Sequence, residues 1–155
     1  MQYIDYAACT DEGGVAAEIA RLVDQRFISR EQGRLIQPAK LAAFFASPMG
    51  QKLRQGNVVR EFKFSILEDG TAYDPALAGE QVLLQGVVDC ALVEEDGITV
   101  IDFKTDYVTQ DTLPDVVARY HPQVQAYAQA MERIYERKVK QTLLYFFHMD
   151  VFVTV

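Results

Sequence analysis

Along this chain apolar residues first recur every three or four positions and then, beyond residue 56, every two. At the first spacing Val15, Ala16, Ile19, Leu22, Val23 and Phe27 fall on one face of an amphipathic helix. Ser29 with Gln32 makes a capping box, in which each residue's side chain serves the other's backbone N–H, and predicts a short second helix. Pro38, lacking the N–H that a first helical turn cannot use, opens a third helix carrying Leu41, Phe44 and Phe45. Ser47 and Pro48 restart a last short helix, and Gly56 stops it. Residues 1–56 are therefore expected to be a helical N-terminal part.

Strand-like runs follow. Val58–Leu67 is the first, then a loop with Asp69-Gly70 and Asp74-Pro75, then Gln81–Val93, a turn over Glu94–Gly97, and Ile98–Thr105. Asp-Gly between two runs of β-forming residues is a strong hairpin signal. Residues 106–118 read as a loop leading into a helix over 120–137, where Val124, Tyr127, Ala128, Met131 and Tyr135 keep helical phase. Thr142–Phe147 and Val151–Val155 read as closing strands. This order predicts an α/β or α+β fold with a central mixed sheet, residues 57–155 forming the sheet core. The 81–105 hairpin is apolar on both faces, with Val88, Cys90, Leu92, Ile101 and Phe103 on one and Val87, Ala91, Val93, Ile98 and Val100 on the other. A sheet covered by helices on both sides follows.

Three charged residues interrupt the hairpin: Asp89, Asp102 and Lys104. An ionised side chain in a covered sheet is costly unless it is paired or bound to metal. If Asp96-Gly97 forms a two-residue turn, Asp89 lies opposite Lys104 and Asp102 opposite Ala91; a four-residue turn sets Asp89 opposite Asp102. In both registers all three project from one face, whereas a three-residue loop separates them. Two converging carboxylates suit a hard cation such as Mg²⁺ or Mn²⁺. A neighbouring lysine can offset charge developing on a phosphorane. The spacing serves equally well a cross-strand salt bridge Asp89–Lys104 with Asp102 at the sheet edge.

At 155 residues, half of them apolar and about a quarter charged, the chain is expected to be one globular domain. It has no apolar run long enough for a bilayer, and its first residues lack a basic segment followed by an apolar one. A cytoplasmic protein without membrane contact is expected. Cys9 and Cys90 are too far apart for metal-ligand spacing and read as small buried hydrophobes. Two cysteines exclude a four-cysteine iron–sulfur cluster held by this chain alone. The net charge of −7 counts against nucleic acid as a partner. It is unevenly spread, however: Asp11, Glu12, Glu94, Glu95, Asp96, Asp111 and Asp115 gather in expected termini and loops.

Gly86-Val87-Val88-Asp89, the Glu94–Gly97 turn and Val100-Ile101-Asp102-Phe103-Lys104-Thr105 resemble, in order and spacing, the core of the PD-(D/E)xK nucleases in their RecB-like form. Gln123-x-x-x-Tyr127 resembles that family's Q-x-x-x-Y helix motif, and Val59–Phe64 and Leu144–Phe147 extend the likeness over most of the chain. A single motif would be weak, but the ordered series is specific. Within the family the chain is most similar to the nuclease domains at the C-terminal end of bacterial helicase–nuclease subunits that process double-strand breaks.

The resemblance implies a restriction-endonuclease-like core and Mg²⁺-dependent hydrolysis of DNA, with Mn²⁺ as a substitute. As partners it implies DNA and a second subunit of the helicase–nuclease. Asp89, Asp102 and the Phe103 carbonyl become metal ligands by it, and Lys104 the catalytic lysine. Gln123 and Tyr127, four apart on one helix face, would border the site and position DNA or catalytic groups; a packed tyrosine with a tethering amide is their ordinary alternative. Arg119, one turn earlier, could meet phosphate or simply be solvated, and Glu61 could be an outer acid or a structural residue. The family usually carries a further metal-binding histidine in a G-T-x-x-H-type motif near the start of the domain. The two histidines here, His121 and His148, stand elsewhere. Met1–Tyr6 resembles the segment just after that motif. The chain is thus expected to be a piece of a larger protein, holding metal weakly and cleaving poorly by itself. A non-catalytic DNA-guiding or subunit-interaction module on the same fold is the alternative.

Overall fold

The sheet expected from the apolar hairpin is present, with helices divided between its two faces. The computed structural model describes residues 1–72 and 74–155. Helices α1 (Glu12–Asp24), α2 (Arg30–Leu35), α3 (Pro38–Ala46) and α4 (Pro48–Gln55) come first. Strands β1 (Asn57–Asp69), β2 (Gln81–Glu94) and β3 (Gly97–Lys104) follow, then the long helix α5 (Leu113–Tyr135), β4 (Val139–Phe146) and β5 (Val151–Thr154). The strands form one mixed sheet in the order β1-β2-β3-β4-β5. β3 and β4 run parallel and the other pairs antiparallel. A parallel step needs a crossover, and α5 supplies it. Among the described residues no helix is long and apolar enough to cross a membrane.

The punctuation of the N-terminal part is as expected. Ser29 Oγ accepts from the Gln32 N–H at 3.1 Å while the Ser29 N–H donates to Gln32 Oε1 at 2.8 Å. Pro38 and Pro48 occupy first turns, and Gly56 caps α4. Two boundaries differ from expectation. α1 ends at Asp24, and Arg26, at φ 62°, turns the chain so that Phe27 leaves the core and stacks on Tyr3 at 4.9 Å. α5 begins at Leu113 inside the expected loop, because Leu113, Val116, Val117 and Tyr120 extend its apolar stripe onto Val124, Leu144 and Phe146. Pro122 is therefore interior to α5 rather than at its opening, at the cost of one backbone hydrogen bond.

Helices α1, α3 and α4 cover one face, where Val15, Ile19, Phe44, Phe45 and Leu53 meet Cys90, Leu92, Ile101, Leu143 and Tyr145. α5 covers the other, where Tyr127, Ala130 and Met131 meet Phe64, Val88, Ala91, Ile98 and Val100. Val88 thus shares a face with Ala91, three residues on, instead of with Cys90 as expected. The same happens in β1, where Val59 pairs with Ala91 and Phe62 with Val88. Between them Glu61 adopts the left-handed conformation, at φ 50°, and Asp89 stands at the matching place in β2. The register is the same on both sides of the break, Arg60↔Cys90 and Phe62↔Val88. One residue in each strand drops out of the alternation, and both strands turn over together. Cys9 and Cys90 are free and buried, and burial pushes their thiols up to about 11 and about 12.

Residues before α1 are tied down by Glu18, which is 7% exposed. Its carboxylate accepts from the Asp5 N–H at 2.9 Å and from the Arg21 guanidinium, which in turn donates to Tyr3 O at 3.0 Å. The Arg21 contact holds the Glu18 carboxyl below its ordinary 4.5. A depressed carboxyl stabilises the fold above its unfolded value, and that contribution disappears as pH falls through the folded value. Glu18→Gln should therefore be less stable than wild type in urea near pH 7, and the gap should close on acidification below about pH 4. Gly86 offers a second check. A Cβ there would lie 2.7 Å from Phe64 Cζ and 3.1 Å from Tyr127 Cε1, so Gly86→Ala should lower urea-unfolding stability by about 1–3 kcal/mol.

Candidate active site

Pairing of β2 with β3 runs from Glu94↔Gly97 to Cys90↔Ile101. The tight turn is therefore Glu95-Asp96, one residue earlier than the Asp96-Gly97 turn considered from the sequence. Lys140 explains the choice: its ammonium lies 2.9 Å from Glu94 Oε2 and 2.6 Å from Asp96 Oδ1, gripping both sides of the turn. Gly97, at φ 146°, begins β3 where a Cβ would strike Lys138 O at 2.9 Å. Continued outward, this register sets Asp89 opposite Asp102, the outcome tied to the four-residue turn, and not opposite Lys104. The difference is an even number of residues, and Asp89 lies close enough to Asp102 for its charge to help raise that carboxyl. Beyond Cys90 the β2–β3 ladder stops, and Asp89 Oδ2 accepts from the Phe103 N–H at 2.9 Å in place of a backbone carbonyl.

Asp102 is 2% exposed and Lys104 9%. Their charges meet along one strand, with Lys104 Nζ 2.5 Å from Asp102 Oδ2, rather than across to Asp89 as in the salt-bridge reading. Asp102 is also no edge residue, since β3 is the middle strand of five. The ammonium approaches Asp102 Oδ2 off the direction of a hydrogen bond, leaving this buried oxygen with charge compensation but no directed donor. Burial pushes the Asp102 carboxyl up, and the Lys104 ammonium opposes that rise. Lys104 Nζ also donates to Gln123 Oε1 at 3.1 Å, while Gln123 Nε2 donates to Tyr127 Oη at 2.7 Å. The helix pair named from the sequence is thus joined to the catalytic-lysine candidate by a chain of hydrogen bonds.

Two residues that the sequence reading did not single out complete the surroundings. The ring of Tyr120 lies under the Lys104 ammonium, 3.6 Å from Nζ to centroid. Tyr120 Oη donates to Asp106, at 3.1 and 3.2 Å from its two oxygens. The available signal is the stripe Tyr120, Gln123, Tyr127 at spacings of three and four, which lies inside the expected helix but whose motif covers only Gln123 and Tyr127. Arg119 Nη2 donates to Asp106 Oδ1 at 3.1 Å and is otherwise largely exposed. Glu61 and Asp89 are near enough for their charges to act on the Met1 ammonium, whose pKa burial lowers. His121 and His148 are both exposed, the former on α5 and the latter stacked on Tyr107 at 4.2 Å.

Hard oxygen donors are what Mg²⁺ and Mn²⁺ require, and buried Asp102 Oδ2, without a directed donor, is of the kind that suits such an ion. Asp89 and Asp102 would supply two carboxylates; among the described residues no group of three or more His, Cys, Asp or Glu is gathered for a metal. Residues 2–151 match the family described as the PD-(D/E)XK nuclease superfamily. The chain belongs to that superfamily. Curated relatives include proteins named as subunits of an ATP-dependent helicase/nuclease. One from Clostridium botulinum (strain Okra / Type B1) is 34% identical over the whole of this chain, and one from Alkaliphilus oremlandii (strain OhILAs) is 33% identical over 97% of it. The chain spans only 12% of the first and 13% of the second. The residues that read as the superfamily's signature in the sequence are Asp89, Asp102 and Lys104.

Because Asp89 replaces a ladder bond, its carboxylate has a structural task separable from its charge. Asp89→Asn and Asp89→Ala remove the same charge, but only the alanine orphans the Phe103 N–H. Alanine should be less stable than asparagine by about 1–3 kcal/mol in urea unfolding.

Proposed function

We propose that this chain is the nuclease module of an AddA-type ATP-dependent helicase–nuclease subunit, hydrolysing DNA phosphodiester bonds during double-strand-break repair and recombination. The observation that carries the reading is Lys104, buried and held between Asp102 and Gln123, with Asp89 close enough to act on the Asp102 carboxyl. The names of the relatives support the helicase–nuclease setting; helicase and ATP-binding parts would lie elsewhere in a larger protein, which would work with an AddB-type partner subunit.

Asp89, Asp102 and the Phe103 carbonyl would hold Mg²⁺ or Mn²⁺. When bound, such an ion supplies Lewis-acid polarisation of a phosphoryl oxygen and an acidified water. The chain's own groups do the positioning. Asp89 fixes the Phe103 amide and with it the local course of β3. Gln123, oriented by Tyr127, holds Lys104 where its ammonium can donate to an oxygen gaining negative charge. Arg119, exposed on the same helix stripe and paired with Asp106, would exchange that partner for a phosphate.

The test is cleavage of linear DNA with Mg²⁺ or Mn²⁺ by a longer version that includes the upstream family histidine. Lys104→Ala should reduce the rate by about 100-fold or more. Unchanged cleavage in that variant sinks the role of Lys104. DNA binding without any cleavage by the longer wild type replaces the nuclease reading with a DNA-guiding module.

A further inference from the structure

Tyr120 is the neighbour of Lys104 that neither the Asp-x-Lys run nor the Q-x-x-x-Y motif accounts for. A lysine ammonium has three N–H donors on a flexible four-carbon stem. One donor goes to Gln123 Oε1 at 3.1 Å, and Asp102 Oδ2 lies 2.5 Å from Nζ as an ion-pair partner without a directed hydrogen bond. The face of the Tyr120 ring, 3.6 Å away at its centroid, occupies the third side of a group with 9% exposure. We propose that Tyr120 is a positioning residue for Lys104, its ring face holding the ammonium beside Gln123 and Asp102, and Asp106 anchoring the ring through the hydroxyl. The proposal rests on the nuclease reading of Lys104 given above.

The chemistry favours a ring in this place. A desolvated ammonium over an aromatic face is attracted by the ring quadrupole. Donation of the Tyr120 hydroxyl to the negative Asp106 adds electron density to that ring and fixes its tilt. Unlike a carboxylate, the ring adds no formal charge that would compete with Asp102 for a cation or tie the lysine into a closed ion pair. Gln123 and Tyr120 together hold the ammonium by neutral groups on the sides away from Asp102. Both come from one stripe of α5, three residues apart, so one rigid element sets both contacts.

In NMR spectra of the wild-type chain the Lys104 ε-methylene protons should be shifted upfield by the ring current. Tyr120→Leu should abolish that shift and Tyr120→Phe restore it. In the cleavage assay Tyr120→Leu should lower kcat about tenfold with little change in KM, and Tyr120→Phe should recover most of the loss. If the leucine variant does not fold, stepwise fluorination of a phenylalanine at position 120 keeps the shape while draining the ring face, and kcat should fall along the series. Lys104 protons unshifted in wild type, a flat fluorination series, or a loss confined to KM would each overturn the proposal. The two readings fail separately: a longer wild type that does not cleave strikes the nuclease reading, whereas the Lys104 resonances still decide the contact with Tyr120.

Discussion

An ion pair inside a covered sheet is the demand that the surrounding structure answers. Taking a carboxylate and an ammonium out of water costs several kcal/mol per ion unless their neighbours compensate. Asp102 and Lys104 compensate each other along β3, and α5 supplies Gln123, Tyr127 and the Tyr120 ring over them. The same helix is apolar one turn further on, where Ala130 and Met131 meet Ile98 and Val100. Its lower face thus changes from greasy to hydrogen-bonding where β3 changes from Val100 to Asp102. Gly86 lets Tyr127 come close enough to β2 for that chain of contacts to form.

The second ingredient is the break in β1 and β2. An unbroken pleat would place Val88 on the same face as Cys90 and leave every residue of the ladder hydrogen-bonded to its neighbour. Here the β2–β3 ladder ends at Cys90↔Ile101, and the freed Phe103 amide is taken by a side chain. A carboxylate that serves a backbone amide on one oxygen has the other left for chemistry. The polarity of the candidate site is in this way built into the ending of a strand pair rather than added to an intact one.

Most of the fold was legible because its signals are local. A capping box, two prolines at helix starts and a glycine at a helix end each act within one turn of chain. The convergence of Asp89, Asp102 and Lys104 was legible too, since two of the registers considered differ by an even slip. What escaped depends on partners distant in sequence. Lys140 selected the Glu95-Asp96 turn from a strand more than forty residues on, as seen in its 2.6 Å contact with Asp96. Val88 changed face because Glu61 takes a left-handed backbone in another strand, which alternation counting cannot register. Asp106 escaped because it lies in the connection before α5 and meets Tyr120, fourteen residues on, only once the chain is folded.

The matched break has a consequence for how such a chain can vary. Register across β1 and β2 is continuous only because each strand sets aside one residue at the same level, Glu61 facing Asp89. Deleting a residue from either strand alone would slide one against the other and send half of its apolar side chains into water. Length changes here are tolerated only in pairs, one in each strand. Beyond the contact of Phe64 and Gly86 with Tyr127, the outer end of the hairpin can gain or lose such pairs while the carboxylate level stays fixed.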